Sequence, residues 1–282
     1  AVLFCALATR GQIPYLHQQS VSGAIAPSYL DSLKELWRNL SALLVNPSYI
    51  AVCLCWLVLA ISAGVIAVVG TYTFVYAFEF STEQMAARDF VRLPGVFLAL
   101  VLASYLTRLL DKKYTVIATI LWSTFMIGLP YCLRLLGWLP ENGSTAMFIA
   151  FFGIWLMGFL TLPVAPIVID SQLVDVADDH ELRTGNRAEG LIFSVRTFAL
   201  KLSQGVGSLI AGIGLELIGF PENASPDQIT EPMIDGLLFM MGPLYYVIVL
   251  CGVIFAFMYR IDKRRHEEIL SLLEQRRGLT TA

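Results

Sequence analysis

Residues 193–208 read FSVRTFALKLSQGVGS, with Lys201 in the middle of one of the most apolar parts of the chain. Its neighbours decide the fold. On a helix turning ~100° per residue, Ser194, Thr197, Lys201, Gln204 and Ser208 fall within an arc of about 80°. Phe193, Leu200, Leu202, Val206 and Leu209 mostly point elsewhere. The segment is an apolar helix with one polar stripe centred on a cation. With entry into a bilayer near Gly190, Lys201 lies ~16 Å deep, close to the midplane. A charge there costs at least ~2.5–3.5 kcal/mol, so the stripe is expected to face protein or a water-filled cavity. Two readings follow. Lys201 either touches a solute or coupling ion, or forms half of a buried ion pair. No Asp or Glu is read at mid-span in the other helices, so a partner carboxylate is expected from a part of the protein outside this sequence. Arg196, off the stripe and nearer the surface, is expected to snorkel to water.

Outward from this stretch the composition agrees. Of 282 residues, 57% are hydrophobic and 15% charged, against about 45–50% and about 25% in soluble domains. Six segments are apolar over the ~20 residues that a spanning helix needs: roughly 48–78, 90–107, 114–138, 145–169, 188–219 and 235–259. Basic residues orient them. Arg10, Lys34, Arg38, Arg108, Lys112, Lys113, Arg183, Arg187 and the six Lys and Arg of the tail after Tyr259 fall on one side. Only Arg88, Arg92 and Arg134 fall on the other. The segments 10–47, 108–113, 170–188 and the C-terminus are therefore expected in the cytoplasm, most simply at a cell (inner) membrane. Residues 1–9, AVLFCALAT, read as the end of a preceding transmembrane helix. Residues 10–47 read as a central cytoplasmic loop, 48–260 as a six-helix bundle and 261–282 as a tail helix.

Within that frame, Leu33, Leu36, Trp37, Leu40 and Leu44 recur at helical spacing, giving an amphipathic helix suited to a membrane interface. Ile269, Leu272 and Leu273 line one face of the charged tail helix. Pro163 and Pro166 in TLPVAP should kink the fourth span, and the glycines from Gly205 to Gly214 let helices approach closely. Tyr72 and Tyr76, one helical turn apart, either offer stacking and hydroxyls to a ligand or sit in an interfacial belt. The five cysteines lie in apolar runs and read as small hydrophobes rather than metal ligands. Scattered basic residues without interleaved aromatics argue against nucleic acid. His17, His180 and His266 all fall in predicted cytoplasmic segments, and no acid pair lies mid-span, which argues against a membrane-embedded enzyme.

Before the fifth span comes DSQLVDVADDHELRTGNRAEG, residues 170–190, with six carboxylates interleaved with Arg183 and Arg187. This mixture suits ion pairs that make and break between conformations better than a metal site, and a plain solvated loop is the alternative. Residues 175–220, DVADDHELRTGNRAEGLIFSVRTFALKLSQGVGSLIAGIGLELIGF, resemble the glycoside–pentoside–hexuronide:cation symporter family of the major facilitator superfamily. Its D-x-x-D-Y-x-E…R-x-E-G pattern and following Lys are matched at Asp175, Asp178, Glu181, Arg187, Glu189, Gly190 and Lys201, with Asp179 in place of the Tyr.

The resemblance implies an all-α membrane protein, the six-helix C-terminal bundle of a twelve-helix carrier plus the end of a preceding helix. It implies an N-terminal six-helix bundle of the same protein as partner, a lipid bilayer, a small-molecule solute and a coupling cation, Na+ or H+, bound mainly by that N-terminal half. No other cofactor is expected. The implied solute and coupling wall holds Lys201, Thr197, Gln204, Ser208, Tyr72 and Tyr76. The implied cytoplasmic gate holds Asp175, Asp178, Glu181, Arg183, Arg187, Glu189, Arg108, Asp111 and Lys112. An aromatic residue that the resemblance places near Pro166 is missing here, leaving the solute open between a sugar or glycoside and a lipid-like or other small molecule. A receptor or scaffold that keeps the fold without transport is the remaining alternative.

Overall fold

The computed structural model describes residues 29–186, 188–221 and 228–280. The expected end of a preceding helix, residues 1–9, and residues 10–28 of the 10–47 segment lie outside them. The chain divides between Leu40 and Ser41 into two units, and every spanning helix belongs to the second. The described residues form helices and no strands. Five helical stretches are long and apolar enough to cross a membrane, and one of them folds back on itself, which gives the six expected crossings.

Helix α1 spans Tyr29–Val45. It is the expected amphipathic helix, and its apolar residues Trp37 and Leu44 stand 70% and 54% exposed. Helix α2, Pro47–Tyr72, starts where the sequence dictates. Asn46 is extended, and its Oδ1 accepts from the backbone N–H of Ser48 at 3.0 Å and Tyr49 at 3.4 Å. Pro47 occupies a first-turn position where no N–H is needed. The helix runs on through one π turn, Thr73–Ala77.

Helix α3, Thr82–Leu135, has 54 residues, or ~81 Å if straight, far beyond the ~30 Å of a hydrocarbon core. Its backbone leaves the helical region at Asp111, with φ 68° and ψ 160°. Gly95 before this break lies against Phe159 and Leu160, and Ser123, Met126 and Ile127 after it lie against Gly158. Two stretches equally far from Asp111 thus meet one place, so the legs 82–110 and 112–135 run back alongside each other. The expected 108–113 loop is in fact a one-residue break in helix. The first leg also begins before the expected residue 90, because Ser81 and Gln84 form a reciprocal capping box.

Helices α4, Thr145–Phe159, and α5, Val164–Thr184, form one crossing interrupted at residues 160–163, the expected proline kink. Pro163 has no N–H to offer the carbonyl of Phe159, and across the break Gly158 O accepts from Leu162 N at 3.0 Å and Thr161 Oγ1 at 3.1 Å. The expected 170–188 loop is corrected as well: helix continues to Thr184 and ends on left-handed Gly185 at φ 73°. Helix α6 spans Glu189–Leu217. The sixth crossing combines α7, Glu231–Phe239, a π turn around Pro243, and α8, Tyr245–Phe257. Helix α9, Lys263–Thr280, is the tail. It buries Ile269 and Leu273 and leaves Leu272 39% exposed.

Two features hold the bundle together. At the end holding the 137–144 turn, Phe74, Phe78, Phe80, Tyr131, Phe151, Phe152 and Trp155 form a continuous aromatic cluster, with Phe78 and Phe151 centroids 4.7 Å apart. Such contacts add about 0.5–1.5 kcal/mol per pair beyond area burial. Midway along, α2 and α6 cross at Gly64 and Gly207. A methyl group at Gly207 would strike Ile61 O, while Gly205 and Gly212 face open space. The glycine run therefore holds two close approaches, Gly207 against α2 and Gly214 against the Met240 side chain, with Gly205 and Gly212 uncrowded. Gly207→Ala is expected to cost about 1–3 kcal/mol by overpacking against backbone, seen as a lower melting temperature of the purified full-length protein. Gly205→Ala is expected to leave that temperature unchanged.

Candidate functional site

The polar stripe of α6 lies where the sequence requires. The buried residues Ile192, Ser203, Gly207 and Ala211 mark the face that packs on α2. Ser194, Thr197, Lys201, Gln204 and Ser208 are all exposed, about 120° around the helix from that face. Phe198, Leu202, Leu209 and Ile213 occupy a second exposed arc, each 49% exposed or more. The helix therefore presents three surfaces: one packed, one apolar and suited to hydrocarbon, one polar. Among the described residues Lys201 has no ion-pair or hydrogen-bond partner. Ser194, Thr197 and Ser208 return their hydroxyls to carbonyls one turn back, at 2.6, 2.9 and 3.0 Å.

Arg196 behaves differently from expectation. It is paired rather than snorkelling: Nε lies 2.6 Å from Asp170 Oδ1 on α5, and the guanidinium sits 4.4 Å from the Trp56 ring centroid on α2. Asp170, read as part of a loop, is a helical carboxylate paired with Arg196.

At the end of the bundle where α3 turns, a second cluster is buried. Lys112 Nζ reaches both oxygens of Asp175 at 2.7 Å. Tyr259 OH donates to Asp175 Oδ2 at 3.2 Å. His266 Nε2 lies 3.3 Å from Asp175 and 3.2 Å from Asp178. Burial, and then the Asp175 carboxylate beside it, push the Tyr259 phenol well above its ordinary pKa, so it stays a donor. Asp111 has a conformation nearly reserved for glycine, and it is held there from several sides. Its carboxylate accepts from Lys112 N and, at 3.2 Å, from Lys263 N, and its carbonyl accepts from Thr115 Oγ1 at 2.7 Å. Beside it a cavity of about 180 Å³ is lined by Arg108, Asp111, Lys112, Asp175, Lys263 and His266, among others. Asp179 accepts from Asn46 Nδ2 at 2.8 Å and pairs with Arg183 at 2.9 Å.

Of the expected gate residues, Asp111, Lys112, Asp175 and Asp178 thus come together, tying α3, α5 and α9. Arg108 is exposed on the cavity rim. Arg183 is paired within its own helix. Glu181 is half-buried, and Glu189 opens α6. Arg187 lies outside the described residues. His180, expected in a cytoplasmic loop, is 2% exposed inside α5. Tyr72 and Tyr76 both rest edge-on against Phe220, with centroids 5.1 and 5.5 Å away. A larger cavity, about 530 Å³ between Leu135, Leu217, Phe239 and Met240, is apolar apart from Asp235 at its edge. Asn46, Asp170, Trp56, Tyr259 and His266 were not singled out from sequence. Only Asn46, directly before Pro47, carried a readable capping signal.

Six apolar crossings with one polar-striped wall and one buried charge cluster define a multi-pass integral membrane helical bundle of the transporter type. The chain belongs to the MFS/sugar transport protein family, whose model matches residues 3–263. It is 25% identical over 270 residues to an uncharacterized symporter of Synechocystis, covering 92% of this chain and 46% of that protein. It is 26% identical over 200 residues to the uncharacterized symporter YjmB of Bacillus subtilis, covering 70% and 40%. It is 23% identical over 247 residues to an Escherichia coli protein provisionally named a sulfoquinovose importer, covering 86% and 49%. The chain spans about half the length of these relatives at most.

The buried pair makes a sharp prediction. Lys112→Met leaves Asp175, 2% exposed, without its main counter-ion, and is expected to destabilise the full-length protein by about 3 kcal/mol. Adding Asp175→Asn is expected to recover most of the loss, measured by thermal unfolding in detergent.

Proposed function

We propose that this chain is the C-terminal half of a secondary active carrier that moves a sugar or glycoside-like solute together with Na+ or H+ by alternating access. The observation that carries the reading is the exposed polar stripe around Lys201. An ammonium group with that exposure, in a helix long and apolar enough to span a bilayer, belongs in an aqueous passage, since hydrocarbon would exact several kcal/mol. Lys201, Thr197, Gln204 and Ser208 would form one wall of that passage. Tyr72 and Tyr76 would flank its far end, and the N-terminal six-helix bundle would supply the facing wall and most of the cation ligands. The symporter and importer names of the relatives support a sugar-type solute.

The charged end is assigned to the cytoplasm by its excess of Lys and Arg. We divide the gate into two sets. Asp111, Lys112, Asp175 and Asp178 are committed inside this half, holding the α3 turn and the tail helix. Arg108, Arg183, Arg187, Glu181 and Glu189 are assigned to contacts with the N-terminal half that form when the inner side closes and break when it opens.

Reconstituted full-length protein should accumulate sugar in proteoliposomes when an inward Na+ or H+ gradient is imposed. Lys201→Gln is expected to lower gradient-driven uptake about 10- to 100-fold, the loss of a charge-assisted contact or more. The melting temperature should stay at the wild-type value. Undiminished uptake with the same ion dependence would remove Lys201 from the mechanism. An inert wild-type protein across glycosides, pentosides and uronides would favour a non-transporting receptor.

A further inference from the structure

We propose that the end of the bundle opposite the charged cluster holds a phospholipid with a primary-amine headgroup. Its acyl chain lies in the groove between α3, α6 and α7, and its ammonium faces Asp235. The proposal rests on the membrane-spanning fold and is independent of transport.

The groove forms where three helices end. The second leg of α3 runs ~36 Å from Asp111 to Leu135, so Leu135 stands at the face of the bundle away from the charged cluster. Helix α6 ends at Leu217 and α7 begins at Glu231 on that same face. These ends do not close against one another. They leave a cavity of about 530 Å³, lined by Leu135, Gly214, Leu217, Asp235, Phe239 and Met240, among others. That volume is within the ~300–1,000 Å³ of pockets that hold small molecules. The sulfur of Met240 takes the place that a side chain at Gly214 would fill.

The mouth opens toward lipid. Leu217 is 82% exposed and lies one helical turn beyond Ile213 of the apolar arc, about 160° around α6 from Lys201. The groove therefore opens on the far side of the helix from the polar stripe, away from the wall that the N-terminal half is proposed to face. Phe239 in its wall, and Leu136 and Trp138 just after Leu135, are exposed as well. Lipid tails are as apolar as leucine. A space that opens on hydrocarbon is filled by a chain, because an empty one forfeits the dispersion contacts of its lining.

Charge selects the headgroup. Among the described residues that line the groove, Asp235 is the one charged group. It has no ion-pair or hydrogen-bond partner among the described residues. Glu231, one turn earlier on α7, and Glu216, next to Leu217, are exposed. The basic residue nearest to Leu135 in sequence, Arg134, lies about 100° around its helix. The rim is acidic, so it disfavours an anionic glycerol headgroup and attracts an amine. A primary ammonium also donates hydrogen bonds to a carboxylate, which the methylated nitrogen of choline cannot do. The expected order is ethanolamine, then choline, then glycerol. Tails are equivalent across these lipids, so the carboxylate sets the discrimination, about fivefold for one charge at a membrane surface.

The test uses the full-length protein, stripped of lipid in detergent and given equimolar dioleoyl phosphatidylethanolamine, phosphatidylcholine and phosphatidylglycerol. Native mass spectrometry reads which lipid stays bound. Wild type is expected to retain one lipid, with ethanolamine favoured about fivefold over glycerol. Asp235→Asn should still retain a lipid and lose the preference. Leu217→Trp, at an exposed position where the ring closes the mouth, should lose most of the adduct with an unchanged melting temperature. Leu136→p-benzoylphenylalanine, irradiated in a bilayer of the same three lipids, should add the mass of a phospholipid. An Asp235→Asn protein with the wild-type preference overturns the proposal, as does a Leu217→Trp protein with the wild-type adduct. A wild type that retains no lipid, or retains the three equally, overturns it too. A cross-link from position 136 to the N-terminal half would make protein the occupant and overturn it as well. Each of these results leaves the transport reading standing, since gradient-driven uptake tests that reading separately.

Discussion

Hydrocarbon does not tolerate an unshielded charge, and the placement of the ionisable side chains in the spanning helices follows from that. Arg92 lies 3.7 Å from Asp89, with its guanidinium 5.0 Å from the Phe159 ring centroid. Arg196 is shielded by Asp170 and Trp56. Lys112 is spent on Asp175. Lys201 has no such shield among the described residues, and it stands on the one exposed arc of α6 that is also polar. The same physics that folds the bundle thus separates the surface meant for lipid from the surface meant for water.

The charged end works by a different balance. Reversing the chain at Asp111 forces a non-glycine residue into a backbone region that costs about 1–3 kcal/mol. The surroundings over-determine it, through hydrogen bonds from Lys112 and Lys263 to the Asp111 carboxylate and from Thr115 to its carbonyl. The neighbouring Asp175 is buried, and Lys112, Tyr259 and His266 around it offset part of its desolvation. Because these partners come from the hairpin, the kinked crossing, the end of the sixth crossing and the tail helix, the cluster acts as a rivet rather than a hinge.

Several features were legible in the residues themselves. Apolar runs of spanning length located all six crossings, and Pro163 and Pro166 located the break in the fourth. The 3.6-residue period isolated the stripe of Lys201. The helical period of Leu36, Trp37, Leu40 and Leu44 announced α1. What failed was the assumption that charge means loop. Residues 108–113 and 170–184 carry many ionisable groups, yet both are helical, because their charges are satisfied by residues far away in sequence: Asp175 by Lys112, Asp179 by Asn46, Asp178 by His266. Local composition does not contain such pairings.

The sequence by itself determined that this chain is a multi-pass membrane protein with one polar-striped helix, because burial cost and helical period act on neighbouring residues. Tertiary structure alone decided which glycine makes the α2–α6 crossing. It also decided that the 82–135 helix folds back at Asp111, and that Arg196 meets Asp170 and Trp56 rather than water. Those outcomes depend on which surfaces three separate helices bring to one point, a distance in space that no spacing along the chain encodes.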